Sequence, residues 1–372
     1  MTGSLAMPVG ALTGTLSRYF ARKVALSILG VILATILLVF VVDFVELLRR
    51  AGDARGGGAS ITAIANLSLH RTPAIIERVL PFATLFGAMG AFVMLSRRLE
   101  LVVARASGVS AWQFLAPAVA VAIGVGVVST LAFNPLAARM QDRAERMEAR
   151  LFSSVGRSSG QARWLRQRSI DGQAVIRANS AASSGVSLNG VTVFSFTPEG
   201  QFRERLEARN AKLVDGAWDL EDVRVIAVGR EPQSLARYRL PTNLSAAQVR
   251  ETLGAKTMVG FWNLPAAIAL AERAGLSPLR HRLELQELLA RPALLTAMVL
   301  IAATVALRFF RFGGVARTIL GGVGAGFVLY VVTEFADDLG AAGLVNPVAA
   351  AWLPAVVGCL VGATVLLHQE DG

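Results

Sequence analysis

The chain is poor in charge and poorest in lysine. Charged residues make up 17% of its 372 positions, and Lys23, Lys212 and Lys256 are the only lysines. Apolar residues supply 54% and mean hydropathy is +0.54, which excludes an ordinary soluble domain. A single cysteine, Cys359, excludes a disulfide framework. His70, His281 and His368 are scattered and offer no metal-ligand spacing. Two motifs are incomplete. LGAKT (253–257) has Ala255 where a P-loop needs glycine, and the required first glycine after a strand is missing. GRSSG (156–160) has the G-x-S-x-G spacing of a nucleophile elbow around Ser158, but it sits in a Gly/Ser turn rather than between a strand and a helix. Neither ATP hydrolysis nor serine hydrolysis is expected, and no cofactor or metal is implied.

What the chain has is apolar length. Uncharged windows cover 24–42, 79–95, 106–138, 292–307, 318–333 and 339–367. A helix needs about 17–25 apolar residues to cross the hydrocarbon core, so six spans are expected. The fourth and fifth windows are slightly short, so their flanking arginines must snorkel or a polar residue must be tolerated inside. The first is too long for a signal-peptide core and should stay as an anchor. Residues 1–17 carry no pattern. The net charge of +11 is almost all arginine; with six spans, lipid headgroups are its expected counter-charge.

Arginines in the short loops orient the spans. Arg18, Arg22 and Lys23 precede the first, Arg97, Arg98 and Arg105 separate the second and third, and Arg308, Arg311 and Arg317 separate the fourth and fifth. The loop between spans five and six carries Glu334, Asp337 and Asp338 instead. The positive-inside rule puts both termini and the 96–110 loop in the cytoplasm. Arg49, Arg50 and Arg55 break the rule by following span one on the outer side.

An extracytoplasmic insert lies between spans three and four. Asn134-Pro135 reads as an N-cap followed by a first-turn proline, opening a charged helix that runs to Arg150. Short strands follow at 163–165, 173–177, 190–196, 201–214, 217–228 and 234–240. Asp171-Gly172, Asn189-Gly190, Pro198-Glu199-Gly200 and Asp215-Gly216 are read as the turns between them. Such strands suggest a β-sandwich or jelly-roll. A helical pattern at 263–275 leads into span four. The expected fold is therefore an α-helical integral membrane protein of six transmembrane helices with an inserted all-β, jelly-roll-like domain. Its parts are 1–138 (tail and spans one to three), 139–284 (β-domain with flanking helices) and 285–372 (spans four to six).

Three places invite function. In SRRLELVVARASGVS (96–110), Leu99, Val102, Val103 and Ala106 recur at i, i+3, i+4 and i+7, with Arg97, Arg98, Glu100 and Arg105 around them and Gly108 at a C-cap position. Such a helix in a short loop fits either a docking element or an amphipathic helix on the leaflet surface. Arg49 and Arg50 fit either phosphate recognition or interfacial anchoring. Asp43 and Glu46 share their face, and Asp43 can meet Arg50 or Arg71. Glu77 and Arg78, near the membrane edge, fit either lining of the cavity or snorkelling, and snorkelling is the favoured reading. Gly322 and Gly326, with Gly321 and Gly324 beside them, give span five a small-residue stripe for close helix packing.

The chain resembles the LptF/LptG permeases of lipopolysaccharide export, on the LptG side. LSRYF (16–20), VDFVELLRRAG (42–52), LELVVARASGVS (99–110) and GFVLYVV (326–332) carry the resemblance, which extends over nearly the whole chain. It implies a heterodimer with an LptF-like second permease, a cytoplasmic LptB-like ABC ATPase dimer and a single-span LptC-like partner, in the bacterial inner membrane with the β-domain in the periplasm. Lipopolysaccharide would be extracted from the outer leaflet and passed to a periplasmic β-jelly-roll bridge. The resemblance makes the segment from Arg97 to Gly108, including Leu101, the ATPase-coupling helix, with Glu100 facing basic residues of the ATPase. It makes the outer end of span one the headgroup site (Arg49, Arg50, Asp43, Glu46), although Asp43 stands where the family carries a basic residue. Spans one and five would form lateral gates, here through Leu37, Phe40, Gly322, Gly326, Phe327 and Tyr330. An LptF-type permease and a membrane-anchored β-domain scaffold without transport are the competing readings.

Overall fold

A computed structural model describes residues 14–53, 60–100, 103, 106–107, 110–152, 163–169, 172–181, 187–197, 200–214, 216–227, 231–243, 249, 258–273, 277–312 and 315–371. Arg55, Leu101, Val102, Arg105, Gly108, Ser158 and the 253–257 motif lie outside them.

Among the described residues, six helices are long and apolar enough to cross a membrane. They fall in α1 (Thr15–Asp53), α2 (Ile61–Arg97), α3 (Ala111–Val128) with its continuation α4 (Asn134–Phe152), α6 (Leu279–Phe312), α7 (Val315–Ala341) and α8 (Pro347–Asp371). Helix α5 (Leu264–Arg273) is too short to span. The helix of α1 already begins at Thr15, inside the stretch that lacked a sequence pattern. At 1.5 Å per residue its 39 residues reach about 58 Å, well beyond a hydrocarbon core of about 30 Å. Only 11% of its apolar window is buried by the chain itself, against 61% for α2. The membrane core therefore centres on α2, α3 and α6, where Leu85, Phe92, Leu115, Ala118, Leu295, Met298 and Ala302 pack together.

Asn134 does not cap a new helix. Residues Ser129–Phe133 form a π-helical turn, Asn134 keeps right-handed helical backbone angles, and α3 runs into α4 without a loop. Pro135 has no N–H to offer the carbonyl of Leu131 four residues back, and the wider turn absorbs the mismatch. The Trp262 Nε1 donates to that same carbonyl at 3.1 Å. A parallel substitution occurs in α6: Pro292 cannot serve the carbonyl of Leu288, and Thr130 Oγ1 donates to it at 2.8 Å. Prolines are tolerated in spans when other donors take over in this way. A Cβ on Gly126 would lie 2.5 Å from the Pro292 Cα, so α3 and α6 touch backbone to backbone there.

Among the described residues six antiparallel strands pair in sequence order: β1 (Arg163–Ser169), β2 (Gly172–Ala181), β3 (Ser187–Phe196), β4 (Phe202–Val214), β5 (Ala217–Ala227) and β6 (Gln233–Pro241). The separate β-domain is thus present, and its strand order is that of a meander. Alternation decides its inner face: Val191, Val193 and Ser195 are buried while their neighbours are half-buried. The sheet curls on itself. Gln167 on β1 donates to the Pro241 carbonyl at the end of β6, at 3.1 Å, although these are opposite edges of the sheet. The fully buried Trp218 and the Thr242 hydroxyl both donate to Gln167 Oε1, closing the barrel-like core. Asn189-Gly190 does not separate strands; it lies inside β3, with Gly190 at φ +60.

Candidate functional site

At the outer end of α1 the charged residues follow one another by helical turns. Glu46 receives Arg49 at 2.8 Å and Arg50 at 2.9 Å, while Asp43 meets Arg71 of α2 at 3.5 Å rather than Arg50. Arg49 and Arg50 keep 70% and 44% of their side chains exposed. Intrahelical pairs of this kind are worth about 0.3–0.5 kcal/mol each, so Glu46 orients the two guanidinium groups without neutralising them for a stronger partner. Asp43 is different. Its side chain is 11% exposed and its Oδ2 is buried without a partner, so Arg71 is committed to it.

Helix α4 lies over this end of the bundle. Its Ala144, Met147 and Leu151 pack on Phe44, Leu47 and Leu48 of α1 and on Ile64 and Leu67 of α2. The opposite face carries Arg139, Arg143 and Arg146 at i, i+4 and i+7, all exposed. These three arginines were not singled out from sequence, although their spacing on a predicted helix was visible.

Glu77 does not snorkel. It is 6% exposed and joins three spans: Asn134 Nδ2 donates to its Oε1 at 2.8 Å, and Arg291 of α6 forms an ion pair with the same oxygen. Arg291 also reaches Ser129 Oγ of the π-turn at 3.2 Å. Asn134 Oδ1 accepts from the Phe261 amide at 2.7 Å. A carboxylate two residues before one apolar stretch and an arginine immediately before another was the available signal, because buried charges at a membrane must find each other.

On the opposite side of the bundle α2 ends at Arg97, and Leu99 takes a left-handed conformation, φ 59. Beyond it the amide of Val103 donates to the Leu99 carbonyl and that of Ser107 to the Val103 carbonyl, each at 3.0 Å. The 96–110 segment is therefore not one helix: Ser96 and Arg97 belong to α2. Leu99 and Val103 are 58% and 67% exposed, an apolar pair facing away from the chain. Glu100 turns inward, where its Oε1 accepts from the Tyr19 hydroxyl of α1 at 3.2 Å and its Oε2 is buried without a partner. Ser110 caps α3 through a capping box with Gln113.

Gly322 and Gly326 serve close packing within the chain. A Cβ on each would lie 2.8 Å from Met89 Cε and 2.3 Å from Leu85 Cδ2, both on α2. Tyr330 stacks obliquely on Phe82 of α2, with centroids 4.8 Å apart. Phe40 stacks on Phe44 of its own helix at 5.9 Å. Leu37 and Phe327 are 65% and 56% exposed, so α1 and α7 each keep an apolar face that this chain leaves uncovered.

The family described as "Lipopolysaccharide export system permease LptF/LptG" matches residues 18–368. The chain belongs to the LptF/LptG permease family. Two similar relatives are the lipopolysaccharide export system permease proteins LptG of Escherichia coli strain K12 and of Escherichia coli O6:H1 strain CFT073. Each is 21% identical over 368 residues, covering 96% of this chain and 99% of the relative. As an LptF/LptG permease the chain is a component of a lipopolysaccharide transporter and a multi-pass membrane protein.

Proposed function

We propose that this chain is the LptG-type half of an ATP-driven exporter that lifts lipopolysaccharide from the outer leaflet of the inner membrane. The observation that carries the reading is the family match from 18 to 368, end to end across both sets of spans and the β-domain. The name of the relatives favours LptG over LptF. Both termini are cytoplasmic, 1–138 and 285–372 form the membrane part, and 139–284 is periplasmic. Arg49 and Arg50, aimed by Glu46 and exposed to the side, take a phosphate of the lipid headgroup. The α4 arginines extend the same basic surface, whereas the Asp43–Arg71 pair removes one cation from it. The uncovered faces of α1, around Leu37 and Phe40, and of α7, around Phe327, fit lateral gates closed by an LptF-like second permease and a single-span LptC-like partner. The curled sheet offers exposed β6 to a periplasmic bridge.

ATP is hydrolysed in a separate LptB-like subunit that docks on the 97–108 segment. Leu99 and Val103 supply the apolar contact, and Glu100, held by Tyr19, joins that contact to the base of α1. The test is a mild-detergent pull-down of the tagged chain beside Glu100→Lys, with mass spectrometry and an ATPase assay. Recovery of an ABC-type ATPase and a second permease, with ATPase binding or activity lost in the variant, is the expected result. Periplasmic β-proteins alone, recovered equally from both samples, would replace the exporter by a scaffold.

A further inference from the structure

Helix α5 poses a problem that the transport reading does not answer. From Leu264 to Ala271 every residue is apolar, and charge appears only at Glu272 and Arg273. Leu264 is buried against the bundle, with Ala267, Ile268 and Ala271 half-buried beside it. Trp262, Pro265, Ala266 and Leu270 point the other way, and Trp262 and Leu270 are 64% and 68% exposed. A helix apolar on both faces does not sit in water.

The depth of α5 is set by its attachments. Trp262 is bound to the Leu131 carbonyl, and the Phe261 amide to Asn134. Counting from Trp112 near the start of α3, Leu131 lies 19 residues on, about 28 Å along the axis, close to the full hydrocarbon thickness of about 30 Å. Trp262 is thus pinned where the apolar core gives way to headgroups, the level tryptophan prefers in a bilayer. The lipid-facing surface of the third span continues into it: Val127, Val128 and Leu131 are 40%, 61% and 42% exposed. At its far end α5 is tied to the next span by the ion pair of Glu272 with Arg282, at 2.5 Å.

We propose that α5 is an interfacial helix, lying in the bilayer surface on the β-domain side with Trp262, Ala266 and Leu270 inserted among the lipid chains. The occupant of its outward face is lipid. The return of the chain from the β-domain is then moored to the bilayer as well as to α4, whichever permease type the chain is.

Spin labelling in lipid nanodiscs tests this on the full chain together with the partners that copurify. In a Cys359→Ser background, Leu270→Cys is labelled with a nitroxide, beside Ala266→Cys as a second site on the same face. Leu360→Cys on α8 is the lipid reference and Gln233→Cys on β6 the water reference, both exposed positions. The label at 270 should collide with oxygen several-fold more readily than with a nickel chelate, as at 360, and the order should reverse at 233. Nickel access at 270 and 266 equal to that at 233 would overturn the proposal, as would an immobilised label shielded from both reagents, which would mean a protein cover.

Discussion

Removing the positive charge of Arg291 should be among the most damaging single changes in the membrane part. The Glu77 side chain is 5% exposed and that of Arg291 17%. In Arg291→Met the carboxylate keeps one hydrogen bond, from Asn134, while its Oε2 already lacks a partner. Breaking a buried pair in this one-sided way costs about 3–5 kcal/mol, roughly two to four decades in the unfolding equilibrium. In the double variant Glu77→Gln with Arg291→Met both charges are gone. The Gln carbonyl can still accept from Asn134, so most of the loss should return and about 1–2 kcal/mol should remain. Unfolding titrations in mixed micelles on wild type, both single variants and the double variant give the coupling energy directly. An Arg291→Met loss below about 1 kcal/mol, or a double variant equal to the sum of the singles, would refute the view that this pair locks α2, α3 and α6 together.

Two further outcomes follow from the outer end of α1 and from the α2–α7 contact. Glu46→Gln frees Arg49 and Arg50 from two intrahelical pairs and should raise lipopolysaccharide capture about threefold to fivefold. Arg49→Ala with Arg50→Ala should lower capture, and photocrosslinking to the lipid measures both; equal crosslinking in all three proteins would return these arginines to interfacial anchoring. Gly326→Ala places a methyl group against fully buried Leu85 and should cost about 1–3 kcal/mol in the same titration, with Leu85→Ala recovering part of it. A Gly326→Ala protein as stable as wild type would show that α7 is loosely seated.

The spans and strands were legible because their signals are local. Apolar windows longer than the hydrocarbon core, and the alternation through Val191, Val193 and Ser195, need no knowledge of distant residues. Errors arose where a residue answers to something far along the chain. Asn134 has the composition of a cap, yet its side chain is taken by Glu77 and the Phe261 amide, so the helix continues. Glu77 reads as snorkelling because its partner lies 214 positions away. The break at Leu99 had no sequence mark, since a leucine in left-handed backbone costs about 1–2 kcal/mol and is not expected there. Arg49, Arg50, Asp43 and Glu46 were readable as a group, but not the division of labour that gives Asp43 to Arg71 and Glu46 to the two arginines.

The π-turn before Asn134 has a mechanical consequence. A proline at the end of a span would ordinarily finish the helix and leave a flexible joint. Here one unbroken rod runs from Ala111, next to the capping box of Ser110, to Phe152, at the threshold of the sheet. Its hydrogen-bond ladder is interrupted at Pro117 and Pro135, yet no loop comes between its two ends. The two ends are therefore joined by continuous helical backbone, so the cytoplasmic-loop end of this span and the start of the sheet are held at a separation that helix geometry sets.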